Sequence, residues 1–262
     1  MQFKFDANQD FQLQAIEAVT ALFTGQPRIE TDLHFTLGPS TMLRAGQSSF
    51  AAVANRLDLS EAELLDNLHT VQEQNGIALD PELICIEERI ETATGSQDVR
   101  FYNFSVEMET GTGKTYVYLR TALELYRRYG LRKYIVVVPS VAIREGVLKT
   151  LQITEKHFQG LYGNAPYRYY AYDSANLSQV RQFALSDGVE IMVMTIAAFN
   201  KASNVIRQTT DRLQGETPVH LVQTARPVLV LDEPQNMESE KSIAALSVLN
   251  PLLALRLSLI HI

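Results

Sequence analysis

The sequence predicts an α/β fold with a mostly parallel, doubly wound sheet, preceded by an N-terminal helical elaboration. From about residue 101 onward, short apolar runs alternate with helical patterns, which is the order that βαβ units produce. Three of these runs, YIVVVP, EIMVMT and PVLVLDE, are apolar at successive positions. Strands of this kind are buried on both faces, so the sheet is expected to be covered by helices on both sides.

The first predicted element is a helix within residues 1–25. Four apolar side chains recur there at spacings that place them on one helical face: Phe11, Ala15, Val19 and Leu22. The pattern stops near Gly25, a residue type that commonly ends helices.

Residues 26–100 are less regular, and we predict a mainly helical insertion. Its clearest helix is SEAELLDNLHTVQEQ, which Ser60 can cap and Gly76 can end. Four apolar residues form the packing face of that helix: Leu64, Leu65, Leu68 and Val71. A run of carboxylates after residue 86 is interpreted as the solvated face of a further helix: Glu87, Glu88 and Glu91.

The remaining elements belong to the predicted sheet domain, residues 101–258. Strands are expected at 102–108, 134–139, 167–172, 190–195 and 227–232. Helices are expected at 114–129, 141–157 and 176–186. Four tyrosines in the third strand alternate with its other residues, which favours a strand over a platform for stacking bases: Tyr167, Tyr169, Tyr170 and Tyr172.

Composition bounds the class of protein without naming it. A chain of 262 residues with 46% hydrophobic and 20% charged residues is typical of one large or two small α/β domains. The single Cys85 excludes an internal disulfide and favours a reducing compartment. The N-terminus lacks the apolar core of a secretory signal, and no apolar run is long enough to span a bilayer. We therefore expect a cytoplasmic protein with no membrane partner.

The segment METGTGKT, Met108–Thr115, carries the strongest chemical signal. Its glycines, Gly111 and Gly113, let the backbone turn tightly so that successive N–H groups face an anion. Lys114 can then reach the β- and γ-phosphates of a nucleotide, while the Thr115 hydroxyl can ligate Mg²⁺. The nucleotide-binding residues are accordingly predicted to be Thr110, Gly111, Thr112, Gly113, Lys114 and Thr115. The general pattern has glycine where this chain has Met108, a change that helicase-type loops tolerate.

A second motif, VLVLDEPQNM, places two carboxylates after an apolar strand. In a parallel sheet that position is the carboxyl edge, where ligands bind. Asp232 is predicted to hold Mg²⁺ beside Thr115, and Glu233 to orient and deprotonate the water that attacks the γ-phosphate. Taken alone, Asp-Glu-Pro after a strand is more often a solvated turn; downstream of a phosphate loop, the catalytic interpretation is favoured.

Together, METGTGKT and DEPQ resemble the motor of superfamily 2 helicases, and within it the restriction (Res) subunit of type III restriction–modification enzymes. Three further segments are similar to motifs of that family: VVVPSVAIREG to motif Ia, MTIAAFNK to the segment before motif II, and FQLQAI to the glutamine-bearing helix that touches adenine. The resemblance implies a RecA-like domain over residues 101–258, with ATP and Mg²⁺ as cofactors.

Two glutamines take their roles from this resemblance. Gln12 matches the residue that contacts adenine, since an amide can both donate to and accept from the base edge. The alternative is that Gln12 is an ordinary exposed helix residue. Gln235 resembles the motif II residue that links nucleotide state to movement of a partner domain.

Four further residues match the family's DNA contacts. Pro139, Ser140 and Arg144 lie in the motif Ia segment, where a helix N-terminus and a hydroxyl can hold a DNA phosphate. Thr195 matches a second phosphate contact. The alternative for Ser140 and Thr195 is that each caps the helix that follows it.

For the parent protein, the resemblance implies ATP-driven movement on DNA, endonucleolytic cleavage, and a complex with a DNA methyltransferase subunit. LALRLS resembles the start of motif III, whereas the last residues, 259–262, are expected to be a foreign or truncated tail. Because a second RecA-like domain supplies an arginine finger in such motors, this chain alone is predicted to bind Mg-ATP weakly and to hydrolyse it slowly.

Two other functions remain open. One is a superfamily 2 helicase or repair translocase without a nuclease, which would share the same nucleotide chemistry. The other is a non-catalytic nucleotide-binding or docking module.

Overall fold

A computed structural model describes residues 6–30, 34–36, 51–92, 95–109, 111–163, 165, 167–201, 203–208 and 217–258. The helices are α1 (Asp10–Ala21), α2 (Glu61–Gln74), α3 (Lys114–Tyr129), α4 (Val141–Leu161), α5 (Leu177–Leu185), α6 (Pro218–Ala225) and α7 (Glu240–Ser247). The strands are β1 (His34–Thr36), β2 (Ala51–Val53), β3 (Cys85–Thr92), β4 (Gly95–Glu107), β5 (Lys133–Val138), β6 (Tyr167–Ala171), β7 (Val189–Thr195), β8 (Val228–Asp232) and β9 (Leu253–Ser258).

A seven-stranded sheet forms the centre of the fold, with the strand order β3-β4-β9-β8-β5-β7-β6. Every neighbouring pair from β4 to β6 is parallel, and only β3 runs antiparallel, against β4. The RecA-like α/β fold with a mostly parallel sheet is therefore confirmed. Because parallel strands share one direction, β4, β8, β5 and β7 all end at the same edge, where ligands bind in such folds.

The core consists of two apolar clusters, one on each face of the sheet. One contains buried side chains of α1, α2, α3 and α4, and the other contains those of α5, α6 and α7. All six residues of β5 are buried, as are all five of β8. These strands are apolar at successive positions because helices cover both faces of the sheet, as predicted.

Residues 26–100 differ from the prediction of a mainly helical insertion. Helix α2 is present, and Ser60 caps it in a capping box with Glu63, but the described part of the segment also contains β1, β2, β3 and the start of β4. The carboxylate run lies on strand β3 rather than on a helix, with Glu87 directly opposite Arg100 of β4. A run of charged residues is compatible with either a helix or a strand. The pairing of β3 with β4 along a long hairpin stabilises the strand here.

The same segment is also an integral part of the sheet region. Asn55 is buried, and its amide nitrogen donates to the carbonyls of Lys133 (2.8 Å) and Arg226 (3.2 Å). Its Oδ1 accepts from the backbone N–H of Arg132 at 2.7 Å. These bonds satisfy backbone groups where β5 begins and α6 ends, so residue 55 stabilises the sheet domain although it precedes residue 101. The domain boundaries themselves stay a prediction.

Helix α1 packs through a face rotated from the predicted one. Val19 and Leu22 of the predicted face are each 4% exposed, but Ile16 is buried beside them at 3%, whereas Phe11 is 47% exposed. Gln12 is buried in its place, because it contacts the loop before α3, as described below. Within the described ranges, no helix has the length and apolar character needed to cross a lipid bilayer.

Candidate nucleotide and DNA site

The predicted phosphate loop joins strand β4 to helix α3, which begins at Lys114 as the sequence predicts. Gly111 and Gly113 have φ angles of 79° and 82°, the left-handed conformation that only glycine adopts at little cost. Gly113 is the N-cap of α3, so the loop ends on the helix N-terminus with its partial positive charge. The Thr112 hydroxyl donates to the carbonyl of Glu109 at 2.6 Å. Thr110 lies outside the described residues.

Gln12 lies against this loop although it is far away in sequence. Its Nε2 donates to the carbonyl of Thr112 at 2.8 Å, and a Cβ atom at Gly113 would come within 2.9 Å of the same nitrogen. The φ angle thus favours glycine at position 113, and a side chain there would displace the Gln12 amide from the loop. Gln12 is therefore not the exposed helix residue of the alternative interpretation, and its contact with adenine stays a prediction.

Asp232 ends strand β8 and is only 7% exposed. Burial raises the pKa of its carboxyl to about 6, the nearby charge of Glu233 adds to the rise, and the positive charge of Lys114 opposes it. Lys114, in the loop–helix segment after β4, and Asp232, at the end of β8, therefore interact electrostatically at the same edge of the sheet. A carboxylate and a hydroxyl there offer the oxygen ligands that Mg²⁺ prefers.

Glu233 has a left-handed backbone, with a φ of 57°. The following Pro234 disfavours the right-handed helical conformation at this position, and a left-handed one is costly for a residue with a side chain. Backbone strain of this kind persists where the surrounding structure fixes it, commonly at functional sites. Gln235 donates through Nε2 to the Glu233 carboxylate at 2.5 Å. The two side chains, which the sequence analysis assigned to separate roles, are therefore hydrogen-bonded to each other.

Three of the four predicted DNA contacts lie at the ends of neighbouring strands, and the fourth, Arg144, lies on the helix that follows one of them. Strand β5 ends before Pro139, and its last residue, Val138, is paired in register with Thr195 of β7. Ser140 is exposed and caps α4 by accepting from the N–H of Ile143 at 3.3 Å, so its capping interpretation holds. The Thr195 side chain makes no cap hydrogen bond with the turn after it.

Arg144 belongs to the same surface, on the first turn of α4. Its guanidinium pairs with the neighbouring Glu145 at 2.8 Å, and both side chains reach solvent. Exposed pairs of this kind contribute little to stability, so Arg144 can exchange its partner for a phosphate at small cost.

Tyr118 is a residue of the site that motif comparison missed. It lies on α3 one turn after Thr115, is 2% exposed, and belongs to the same apolar cluster as Val230 of β8. Burial and the negative charge of Asp232 raise the pKa of the phenol well above its usual value. The sequence could have indicated Tyr118 only through helical spacing, because it lies three residues after Thr115 and four after Lys114, and residues so spaced share a helix face.

The raised pKa of Asp232 predicts a specific pH dependence of stability. In the metal-free protein we expect Asp232→Asn to increase the free energy of unfolding at pH 8 by up to about 3 kcal/mol, because the folded state then no longer buries an ionised carboxylate. A folded pKa of about 6 lies above the usual 3.8, so the wild type gains stability as pH falls through this window. The difference between the two proteins should therefore become small near pH 4 and vanish below the usual pKa of 3.8.

Urea unfolding of both proteins between pH 4 and pH 8, in EDTA, measures this difference. Glu82→Gln removes an exposed carboxylate from the loop before β3 and serves as the control for the loss of one negative charge outside the site. A constant difference between Asp232→Asn and wild type across the range would contradict the prediction.

The strand order and the loop together place the chain in the class of RecA-like P-loop domains, of the helicase type that its motifs resemble. Within that class, the chain belongs to the family described as "Type III restriction enzyme, res subunit", whose family model matches residues 45–258. The recognition made from METGTGKT and DEPQ is confirmed.

The chain is similar to three curated Res subunits. It is 26% identical over 258 residues to the Type III restriction-modification enzyme EcoP15I Res subunit of Escherichia coli, covering 91% of this chain and 24% of that protein. The StyLTI Res subunit of Salmonella typhimurium is 30% identical over 174 residues, covering 59% and 18%. The EcoPI Res subunit of Escherichia phage P1 is 23% identical over 257 residues, covering 91% and 24%. The chain thus spans about a quarter of the first relative's length.

Among solved structures, the UvsW helicase from Bacteriophage T4 is similar with a TM-score of 0.35 and 16% identity, over 60% of this chain and 46% of that one. At this level the likeness carries no argument about function.

Proposed function

We propose that this chain is the N-terminal ATPase motor segment of a type III restriction endonuclease subunit, which binds Mg-ATP and DNA. The observation that carries the proposal is the position of the two motifs: strand β9 pairs with both β4 and β8, so the loop that follows β4 and Asp232 at the end of β8 lie at the same edge of the sheet. The positive charge of Lys114 also lowers the pKa of Asp232. A cation after a glycine loop and a buried carboxylate facing it form the two halves of a site for a metal-bound triphosphate.

In this proposal each group has one task. The loop amides from residue 111 onward and the N-terminus of α3 bind the phosphates, Lys114 neutralises their charge, and Gln12 contacts the adenine. Thr115 and Asp232 would hold Mg²⁺, which would supply charge neutralisation between the β- and γ-phosphates. Glu233 orients the attacking water and accepts its proton, and Gln235 restrains that carboxylate.

A binding experiment tests the nucleotide half of the proposal. The purified chain is titrated with a fluorescent, non-hydrolysable ATP analogue in Mg²⁺ and, separately, in EDTA. We expect binding that Mg²⁺ strengthens and that excess ATP, but not excess CTP, reverses. Absence of Mg²⁺-dependent binding would contradict the proposal. Binding that CTP reverses as well as ATP does would exclude only the contact of Gln12 with adenine.

The proposed DNA-binding surface contains Pro139, Ser140, Arg144 and Thr195. The net charge of −7 does not exclude it, because a motor can grip one strand through backbone amides, hydroxyls and few cations. The exposed N-terminus of α4 offers such amides, and Thr195 lies on the adjoining strand.

Arg144→Ala should weaken binding to single-stranded DNA by a few-fold and reduce the slope of log affinity against log salt by about 1, since one phosphate contact is lost. Fluorescence anisotropy with a labelled oligonucleotide at several salt concentrations gives both quantities. Arg28→Ala, an exposed arginine near α1, is the control and should leave the slope unchanged. An unchanged slope in Arg144→Ala would exclude this arginine from the interface.

For the parent protein we propose ATP-driven movement on DNA coupled to endonucleolytic cleavage, in complex with a type III DNA methyltransferase subunit in the cytoplasm. Support comes from the family and from the names of the curated relatives, which are restriction-modification enzymes. Co-purification of the full-length parent with the methyltransferase encoded beside it, followed by a cleavage assay with and without ATP, tests this.

A further inference from the structure

The hydroxyl of Tyr118 is buried beside the proposed metal ligands, and the roles assigned above do not use it. The residue is 2% exposed, and within the described part of the chain its hydroxyl makes no hydrogen bond of ordinary length and angle, although it lies beside the Thr115 side chain. Folded proteins satisfy nearly all buried hydroxyls, so one left over in a binding site indicates a hydroxyl that gains its hydrogen bond when the ligand binds.

The position of Tyr118 limits what that partner can be. Tyr118 lies on α3 with Lys114 and Thr115 one turn earlier. Side chains alternate along β8, so Asp232 lies on the same face of the sheet as Val230, which belongs to the same apolar cluster as Tyr118. Side chains on a helix point back towards its N-terminus, so the phenol is directed at the turn that holds Thr115. A phenol can donate its one proton to a carboxylate oxygen or to a water molecule.

We propose that Tyr118 is a positioning residue for Mg²⁺, which donates its hydroxyl proton to Asp232 and thereby holds that carboxylate and Thr115 in the geometry that the ion requires. This inference rests on the proposed nucleotide function and adds a residue to it. Groups that orient metal ligands typically change metal affinity about 10-fold to 100-fold when they are removed.

The test compares Tyr118→Phe with wild type in the same fluorescent-nucleotide titration, with Mg²⁺ varied from zero at fixed nucleotide. The variant should bind nucleotide in EDTA as wild type does, while its half-saturating Mg²⁺ concentration should rise at least about 10-fold. Phenylalanine keeps the ring and its packing, so the change isolates the hydroxyl.

Tyr134→Phe is the matched control. Tyr134 is equally buried at 1% exposure, but it lies near the start of β5, and its hydroxyl donates to the Leu131 carbonyl at 3.0 Å. This control should lower the melting temperature without moving the Mg²⁺ midpoint. Tyr118→Phe should move the Mg²⁺ midpoint without lowering the melting temperature, because its hydroxyl is unbonded in the metal-free protein.

Each outcome separates the two claims. A wild type without Mg²⁺-dependent binding overturns both the proposed function and this inference. A normal wild type with an unchanged Mg²⁺ midpoint in Tyr118→Phe overturns the inference alone. An equal loss of binding in EDTA and in Mg²⁺ also overturns it, because the residue would then act on the fold rather than on the metal ligands.

Discussion

Lys114→Ala should raise the dissociation constant for Mg-ATP about 100-fold, which corresponds to roughly 3 kcal/mol. The side chain is the cation that begins α3, and it is the positive charge acting on Asp232 in the site. Without it, the phosphates lose a charge-assisted bond, and the carboxylate at Asp232 loses the charge that offsets its burial. Isothermal titration with an ATP analogue in Mg²⁺ measures the loss.

Lys156→Ala controls for removal of one lysine, because Lys156 is exposed on α4. That variant should bind nucleotide like wild type. The melting temperature of Lys114→Ala must stay close to that of wild type for the loss to be assigned to the site. Wild-type affinity in a folded Lys114→Ala protein would remove the phosphate-binding role of this loop.

Gly130→Ala should destabilise the fold by about 3 kcal/mol or more, a drop of roughly 6–12 °C in Tm for a chain of this size. Gly130 ends α3 with a φ of 75°, where a residue with a side chain is strained. A Cβ atom there would lie 2.3 Å from the carbonyl oxygen of Ile29, which is backbone and cannot rotate away. The clash would separate α3 from the segment after α1, which are joined by the bond from Ile29 N–H to the Tyr129 carbonyl.

Gly146→Ala is the matched control for this prediction. Gly146 lies inside α4, and among the described residues no atom other than its chain neighbours and the backbone of that helix is within 4 Å of a Cβ placed there. Alanine should therefore stabilise this helix by about 0.5–1 kcal/mol, since it loses less backbone entropy on folding. Thermal unfolding of both variants decides the matter: equal and small effects would show that the packing of Ile29 on Gly130 is unimportant.

Much of the sheet was predictable because its strands are continuously apolar. The bounds of α3 agree with the prediction, and β5, β7 and β8 differ from it by a residue at either end. These elements are specified by local patterns, so their sequences carry the information. The bounds of β4 were predicted less well, because its first residues are paired only with β3 and contain polar side chains.

Some residues of the candidate site could also be predicted from the sequence, and others could not. Gly111, Gly113, Lys114 and Asp232 could be proposed from the sequence, because sites for a phosphate and its metal demand fixed residue types at fixed spacing. Tyr118 was not, because any core-facing aromatic residue gives the same local pattern. The bond between Gln235 and Glu233 could not be predicted either, since it depends on side-chain rotamers and on the left-handed backbone at Glu233.

By itself, the sequence determined the fold class, the phosphate-type loop and the family, because each is written in residues that are neighbours along the chain. Only the tertiary structure decided that Gln12 binds the loop at Thr112, that Asn55 joins the sheet domain, and that the acidic run is a strand. Those features depend on contacts between segments up to 171 residues apart, and the energy of such contacts is set by packing rather than by local preference.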